Sequence, residues 1–140
     1  MSSHIEPELC EKINIVRNDD RWLWEIKYDG LRAIAGIDQG EYSLQARSGH
    51  NKTDTFPELH LQITSRSAVV DGELVVYDAD HKLQFNGIQR RANVQKHVGI
   101  SVQQYPATYE VFDVLAVDGA QLTALPLRER KKILASILVP

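Results

Sequence analysis

The sequence has 140 residues, a formal net charge of −3 and 25% charged residues, which suits one modest domain with a single hydrophobic core. The negative balance excludes a general basic footprint for nucleic acid, and the single cysteine, Cys10, excludes an intramolecular disulfide. Because no apolar run approaches membrane-spanning length and residues 1–7 carry no apolar signal segment, we expect a cytoplasmic protein without a membrane partner.

Residues 1–20 form a polar segment whose apolar residues recur near helical spacing, at Ile5, Leu9, Ile13 and Val16. This spacing predicts a short helix that begins after Pro7 and ends at residues 18–20. A loosely packed arm is the alternative.

Residues 22–28 alternate between apolar and polar side chains, with Trp22, Trp24, Ile26 and Tyr28 as the apolar set. A period of two predicts a half-buried strand whose apolar side chains face a core. Asp29-Gly30 is typical of a tight hairpin turn, because glycine accepts a positive φ. We therefore expect a second strand over residues 31–38 that returns Arg32 to the side of Lys27.

Lys27 is a candidate nucleophile in this arrangement. An apolar wall and a neighbouring arginine both favour the neutral amine, which is the form that attacks an electrophile. Glu25 is expected on the same face of the strand. The alternative is that Lys27 is a solvated charge, as most lysines on strands are, and that Asp29-Gly30 is only a turn.

The rest of the chain predicts three more strands and two helices. The strands cover residues 41–47, 68–77 and 107–117, and the helices cover residues 55–64 and 127–138. The first helix carries Phe56, Leu59 and Ile63 as its apolar stripe, and the second carries a basic face. Short connections between the strands predict an α+β fold with antiparallel β-sheets and flanking helices.

The tripeptide Asp71-Gly72-Glu73 interrupts the apolar run of residues 68–77. Two carboxylates in a core strand need compensation, because an unpaired buried charge is costly. A glycine inside a strand marks a bulge or a close approach of another backbone. These residues are therefore a second candidate site, with a bulged strand and a solvated face as the alternative.

Three motifs, in this order along the chain, resemble the signatures of the covalent nucleotidyltransferases, the family of ATP-dependent DNA ligases, RNA ligases and mRNA capping enzymes. They are Lys27-Tyr28-Asp29-Gly30-Leu31-Arg32, then Asp71-Gly72-Glu73, then Phe112-Asp113-Val114-Leu115 with Asp118-Gly119. Residues 46–50, 84–91 and 125–130 resemble further segments of the bacterial end-joining DNA ligases, with Ser48 where that type has Asn. The resemblance implies a partial nucleotidyltransferase fold, the ATP-grasp-like catalytic core of DNA ligases.

The resemblance also implies which residues bind the nucleotide. Lys27 is expected to attack the α-phosphate of ATP and to carry AMP, while Glu25 accepts from the exocyclic amine of adenine. Phe112 is expected to stack on the purine, whose flat face suits an aromatic ring. Glu73 is expected to face the ribose near Mg²⁺, which attracts carboxylates.

Arginines complete the implied site. Arg32 is expected to contact the ribose or to stabilise the strand, and Arg47 to contact phosphate or sugar through its planar donor fork. The remaining implied residues have supporting roles: Asp29, Gly30, Asp71 and Arg91, the last as a phosphate contact.

The implied cofactors are ATP and Mg²⁺, and the implied substrate is nicked or broken double-stranded DNA, so we expect a nucleoid-associated protein. No second acidic motif, lysine-rich motif or oligonucleotide-binding-fold domain follows residue 132. We therefore expect residues 1–140 to be the N-terminal part of an adenylation domain, impaired unless a C-terminal ligase half is supplied in trans. The alternatives are an inactive nucleotide-binding or interaction remnant, and an RNA ligase or capping-type nucleotidyltransferase.

Overall fold

The computed structural model describes residues 4–15 and 18–139, and these contain one five-stranded antiparallel sheet and three helices. The strands are β1 (Leu31–Asp38), β2 (Glu41–Ala46), β3 (Ser67–Val76), β4 (Ala107–Val117) and β5 (Ala120–Gln121). The helices are α1 (Phe85–Ala92), α2 (Val98–Gln104) and α3 (Leu127–Ile137). Within the described ranges, none of the helices has the length and apolar character that a membrane crossing requires.

The sheet has the strand order β2-β1-β3-β4-β5, so β1, β3 and β4 lie inside it. The turn between β1 and β2 is formed by Gln39 and Gly40, whose φ angles are 50° and 87°. Two positive φ angles are what a two-residue hairpin requires, because this turn matches the twist of its strands. The predicted α+β class, with antiparallel strands and flanking helices, is confirmed.

The two faces of the sheet differ in chemistry. Ala33, Ala35 and Ile37 of β1 point into the hydrophobic core together with alternate residues of β3, and Ile88 of α1 and Leu134 of α3 pack there. Because side chains alternate along a strand, the residues between them lie on the opposite face. This opposite face carries Arg32, Asp71 and Glu73, and we call it the polar face.

Strand β4 contains two irregularities opposite β3. The register passes from Val69–Ala116 to Val70–Val114, and from Asp71–Asp113 to Gly72–Val111, so Leu115 and Phe112 have no partner on β3. An extra residue in one strand is a β-bulge, which bends the strand and redirects a side chain. The bulge at Phe112 therefore decides where this ring points.

Gly72 is required by a close approach at the same bulge. A Cβ atom at this position would lie 2.6 Å from the carbonyl oxygen of Glu110 and 2.6 Å from the ring of Tyr109. The Tyr109 ring crosses this position, and its hydroxyl donates to the carbonyl oxygen of Ala33 on β1 at 2.8 Å. The predicted bulge or close approach at Gly72 is thus confirmed in both forms.

Most of the predicted regular elements are present. The predicted strands over 31–38, 41–47, 68–77 and 107–117 match β1, β2, β3 and β4, and the predicted helix over 127–138 matches α3. Helices α1 and α2 were not predicted, because they are only 8 and 7 residues long and so offer few turns over which a helical period can be recognised.

The predicted helix over residues 55–64 is wrong. The structure has a single 3₁₀ turn, Thr53–Thr55, followed by irregular chain. Phe56 and Leu59 are nevertheless buried in the core, with 1% and 9% of their surface exposed. The spacing of the apolar residues thus identified two buried side chains correctly, but they reach the core from an irregular segment that contains a turn at Pro57.

The predicted strand over residues 22–28 and the hairpin at Asp29-Gly30 are also wrong. Residues 22–29 form no ladder with any described strand, and β1 is already paired on both sides by β2 and β3. Trp24 and Ile26 are 69% and 71% exposed, so the alternation of apolar and polar residues does not mark a face that packs on the core.

The predicted N-terminal helix is absent from residues 4–15, while Val16 lies outside the described residues. Residues 4–8 instead lie along the polar face as an arm. Gln45 donates to the carbonyl oxygen of Ile5 at 3.1 Å, and Arg32 donates to that of Glu8 at 3.3 Å. The alternative of a loosely packed arm is the one the structure supports.

We predict that Gly72→Ala lowers the free energy of unfolding by about 1–3 kcal/mol, because the new methyl group meets a backbone oxygen and a buried ring that cannot move easily. The measurement is the urea unfolding midpoint. Gly99→Ala in α2 is the matched control, since nothing lies within 4 Å of its added Cβ. That control is expected to be neutral or stabilising by up to about 1 kcal/mol. Equal midpoints for the two variants would contradict the close approach.

Candidate active site

The centre of the polar face is an ion pair between Arg32 of β1 and Asp71 of β3. The guanidinium donates from Nε to Oδ1 at 2.6 Å and from Nη2 to Oδ2 at 2.7 Å. Asp71 is only 3% exposed, so this two-bond contact satisfies a carboxylate that would be costly to bury alone. The same hydrogen bonds raise the pKa of Arg32 above its usual value. The predicted neighbour of Arg32 was Lys27, and the structure replaces it with Asp71.

Glu73 lies half-buried beside this pair. Its Oε1 accepts from the backbone N–H of Gly30 at 3.2 Å, and it stands opposite Arg32 in the pairing of β1 with β3. Burial raises the pKa of the Glu73 carboxyl, while the Gly30 N–H and the charges of Arg32 and Lys27 oppose that rise. The structure thus brings Gly30, Arg32, Asp71 and Glu73 together, as the two sequence motifs predicted.

Four carboxylates form two facing pairs along β3 and β4. Asp71 stands opposite Asp113, and Glu73 stands opposite Glu110. Like charges in such positions destabilise a sheet unless each has its own partner. Asp113 is bound through both oxygens by Arg130 of α3, at 2.8 and 2.9 Å.

Glu110 is bound by a tyrosine. Its Oε1 accepts from the hydroxyl of Tyr77 at 2.8 Å, and burial together with Glu110 raises the pKa of Tyr77 to about 12. Sequence reasoning missed Glu110, Tyr77 and the partner of Asp113. The period of β4 alone could have suggested Glu110, whereas the partners come from distant segments.

Phe112 lies next to the Arg32–Asp71 pair. The guanidinium carbon of Arg32 is 4.7 Å from the centre of the Phe112 ring, within the range of a cation–π contact. One side of the ring is therefore covered by Arg32, and Phe112 joins the group that the sequence predicted. The β4 bulge described above gives the ring this position.

Lys27 lies in the irregular segment 22–29 and is exposed. Its predicted apolar wall is absent, because Ile26 is also exposed. The ammonium group still lies close enough to Glu73 for its charge to lower the pKa of that carboxyl. Lys27 therefore borders the polar face from the solvent side, and its predicted burial is wrong.

Glu25 is contacted by α3. Lys131 donates from its ammonium group to Oε1 of Glu25 and to the carbonyl oxygen of Phe112. Arg128 of the same helix donates to the carbonyl oxygens of Asp20 and Trp22. These contacts attach the exposed segment to the helix, and sequence reasoning had given the basic face of α3 no partner within the chain.

Asp29 and Gly30 do not form a turn. Asp29 is exposed, and Gly30 does not have a positive φ. A Cβ atom on Gly30 would lie 2.1 Å from the carbonyl oxygen of Leu74. Glycine is needed here because the backbone of the motif passes directly against β3.

Two predicted arginines lie elsewhere. Arg47 is exposed in the turn after β2, and no hydrogen bond or ion pair within the described chain joins it to the Arg32–Asp71 pair. Arg91 is fully buried, and its Nη2 donates to Glu58 at 2.8 and 2.9 Å and to the carbonyl oxygen of Thr55 at 2.9 Å. The phosphate role predicted for Arg91 is therefore corrected to a structural one.

The carboxylates of the polar face suit a metal ion only if a ligand brings most of the coordination. Across residues 4–15 and 18–139, no three His, Cys, Asp or Glu side chains cluster as a metal site. Asp71 and Asp113 use both oxygens on arginines, so Glu73 is the carboxylate left with acceptor capacity beside Lys27. Mg²⁺ is commonly held by one or two carboxylates together with phosphates and water, which fits this donor set.

An open groove of about 430 Å³ runs between residues 23–25 and α3. Of the residues predicted to bind the nucleotide, only Glu25 lines it. The polar face with Arg32, Glu73 and Phe112 therefore lies beside this groove and not inside it.

Comparison with known proteins gives a family and a fold. The ATP dependent DNA ligase domain family matches residues 7–140. The SPbeta prophage-derived DNA ligase-like protein LigB of Bacillus subtilis is 31% identical over 133 residues, covering 95% of this chain and 47% of that protein. DNA ligase C of Mycobacterium tuberculosis is 30% identical, covering 93% of this chain and 37% of that protein.

Solved structures that resemble the chain include two mycobacterial DNA ligase D structures. The ligase domain of M. tuberculosis LigD has a TM-score of 0.62 and 27% identity, over 79% of this chain and 35% of that one. The mycobacterial DNA ligase D complexed with ATP and MES has a TM-score of 0.62 and 25% identity, over 83% of this chain and 40% of that one. The chain thus spans less than half the length of each of these proteins.

We predict that Glu73→Gln gains stability relative to the parent chain as pH rises from 4 to 7. Because burial raises the pKa of Glu73 above 4.5, the folded state holds this proton more tightly than the unfolded state. The stability that the proton gives is present below about pH 4.5 and is lost as pH rises through the folded pKa. Glutamine carries no such proton, so its difference from the parent should grow with pH.

The measurement is the urea midpoint of both chains at pH 4 and pH 7. Glu41→Gln, at an exposed position where β2 begins, controls for the general loss of one negative charge. A Glu73→Gln difference that is the same at both pH values would contradict the burial of this carboxyl.

Proposed function

The chain belongs to the ATP-dependent DNA ligase domain family, and from this premise we propose that it binds ATP and becomes adenylated on Lys27. The proposal rests on the contact between the first and the second sequence motif, whose contacting residues lie 39 to 43 positions apart in the chain. In the first motif, the backbone N–H of Gly30 donates a hydrogen bond to Glu73 of the second motif. Arg32 of the first motif donates to Asp71 of the second. A lysine three residues before Gly30 therefore borders the half-buried Glu73 carboxylate, which fits a site that positions and stabilises charge in phosphoryl transfer.

The proposed reaction is an in-line substitution at phosphorus. The neutral amine of Lys27 attacks the α-phosphorus of ATP, and a P–N bond forms. The bond from the α-phosphorus to the bridging oxygen breaks, pyrophosphate leaves with that electron pair, and the amine loses its proton to solvent. The AMP then passes to a 5′-phosphate at a DNA nick, and the 3′-hydroxyl of the other end displaces it.

Two residues are proposed to bind the nucleoside. Glu25 accepts from the exocyclic amine of adenine, and Phe112 offers the side of its ring that Arg32 does not cover. Since Arg32 is committed to Asp71 by two hydrogen bonds, we propose that it supports Phe112 and the β1–β3 pairing, which was one of its two predicted roles. Arg47, exposed in the turn after β2, is proposed to contact phosphate or sugar.

Glu73 is proposed to help hold Mg²⁺ when ATP is bound. The ion supplies charge neutralisation at the phosphates, which lowers the barrier to substitution. Glu73 also orients the first motif through the Gly30 N–H, and this contact does not depend on the ion.

Nicked or broken double-stranded DNA is the proposed substrate, because several of the matching relatives are named DNA ligases. The chain covers only 20–47% of the relatives named here and of the probable DNA ligase of Koribacter versatilis. We propose that further ligase sequence, in the same polypeptide or in trans, provides most of the grip on DNA.

A second candidate is nucleotide binding without covalent transfer. It is favoured by the exposure of Lys27 and of its neighbours in segment 22–29, since a solvated amine is a poor nucleophile. It predicts stabilisation by ATP without a covalent product.

The test is incubation with Mg²⁺ and ATP labelled at the α-phosphate, followed by denaturation. We predict that the parent chain keeps the label and that Lys27→Ala loses it completely, because no other amine replaces the nucleophile. Lys96→Ala, at an exposed lysine outside the polar face, is the matched control and should keep the label. Stabilisation by ATP without label on the parent chain would favour the second candidate, and neither effect at saturating ATP would reject both.

A further inference from the structure

Lys131 of α3 connects the two residues to which the proposed function assigns the purine. Its ammonium group contacts the Glu25 carboxylate and also the carbonyl oxygen of Phe112. The two partners lie 87 residues apart in the sequence, one in an irregular segment and the other at a strand bulge. One side chain thus fixes the relative position of a hydrogen-bonding group and an aromatic ring.

Helix α3 is a rigid support for this contact. Leu134 and Ile137 on its inner side are 5% and 7% exposed, so the helix is anchored in the core. Arg130, next to Lys131, binds both oxygens of Asp113 on β4. The core therefore sets the backbone position of Lys131, from which its side chain reaches Glu25 and the carbonyl oxygen of Phe112.

Glu25 depends on this support more than the residues of the polar face do, because it lies outside the sheet. Its side chain is 40% exposed and its segment has no ladder, so without a partner it would sample several rotamers. Lys131 contacts Oε1, which leaves Oε2 as the acceptor that a ligand can use. Fixing a side chain in its binding conformation before the ligand arrives raises affinity and selectivity.

We propose that Lys131 is a positioning residue that makes the site select adenine over guanine, an inference that rests on the proposed function. An ionised carboxylate can only accept hydrogen bonds. At the same ring position adenine presents an amine donor and guanine presents a carbonyl oxygen. A carboxylate held in one orientation therefore binds the first and repels the second, whereas a mobile one turns away from guanine and discriminates less.

The test measures binding without covalent chemistry, so that it is independent of the labelling result. All chains carry Lys27→Ala, and equilibrium dialysis with labelled ATP, competed by unlabelled GTP, gives the ratio of the two dissociation constants. Lys131→Met is expected to lower the preference for ATP about tenfold, the effect of losing one charge-assisted hydrogen bond. Lys131→Arg, which keeps a donor cation, should restore most of it.

Two further chains separate positioning from a general structural effect. Lys132→Met changes the next lysine, which pairs with Glu129 on the same helix and is 73% exposed at its side chain, and it should leave the ratio unchanged. Glu25→Gln, whose amide can also donate to guanine, should lose the preference by itself. Adding Lys131→Met to Glu25→Gln should then lower the ratio no further, because the lysine acts through that carboxylate.

The proposal is overturned if Lys131→Met keeps the ATP preference, if it weakens ATP and GTP equally, or if the parent chain binds both equally or neither. It is also overturned if Lys131→Met lowers the ratio by the same factor in the Glu25→Gln chain. If Lys131→Met does not fold, the binding ratios of Lys131→Arg and Glu25→Gln test the proposal instead. A preference for ATP that Glu25→Gln retains rejects the inference. A clear ATP preference that depends on Lys131, without label on the chain that has Lys27, would reject only the covalent step.

Discussion

The buried carboxylate of Asp71 is the constraint on which the site depends. A charge that is 3% exposed needs a partner, and removing one member of such a pair typically costs about 3–5 kcal/mol. The partner is Arg32, so the carboxylate fixes the start of β1 against β3. The segment just before β1 contains Lys27 and Gly30, and the pair therefore decides where the candidate nucleophile enters the polar face. The same arginine covers one side of the Phe112 ring, which couples the third motif to the first two.

Each of the four carboxylates on the polar face has its own hydrogen-bond donor, and for Asp71 and Asp113 this donor is an arginine whose charge reduces the repulsion of an anionic ligand. Arg32 serves Asp71, Arg130 serves Asp113, the Tyr77 hydroxyl serves Glu110, and the Gly30 N–H serves Glu73. Of the four, Glu73 has the weakest compensation, and its pKa is raised by burial. It is thus the carboxylate with most to gain from a metal ion that arrives with phosphates, which agrees with the role proposed for it.

Helix α3 has two functions in this arrangement. Its apolar side completes the core, and its basic side reaches across β4 to the polar face and to residues 20–25. A basic helix face is usually a solvated surface, but here Arg128 and Lys131, one helical turn apart, hold an exposed segment that has no strand partner. The segment that carries Glu25 and Lys27 is therefore held by side-chain contacts and not by a backbone ladder.

The sequence by itself determined strands β1 to β4, helix α3, the close approach at Gly72 and the grouping of Arg32, Asp71, Glu73 and Phe112. The strands and the helix follow from local periodicity, and the grouping is what the resemblance of the three motifs to those of the covalent nucleotidyltransferases implies. Only the tertiary structure decided that residues 22–28 are irregular, that Gly30 is packed against Leu74 and not in a turn, and that Arg91 is buried against Glu58. The tertiary structure alone also decided which residues bind Glu25, Glu110 and Asp113. The physical reason is that alternation reports which side chains could share a face, whereas pairing and burial depend on which distant segments arrive there, and this information is not local in the chain.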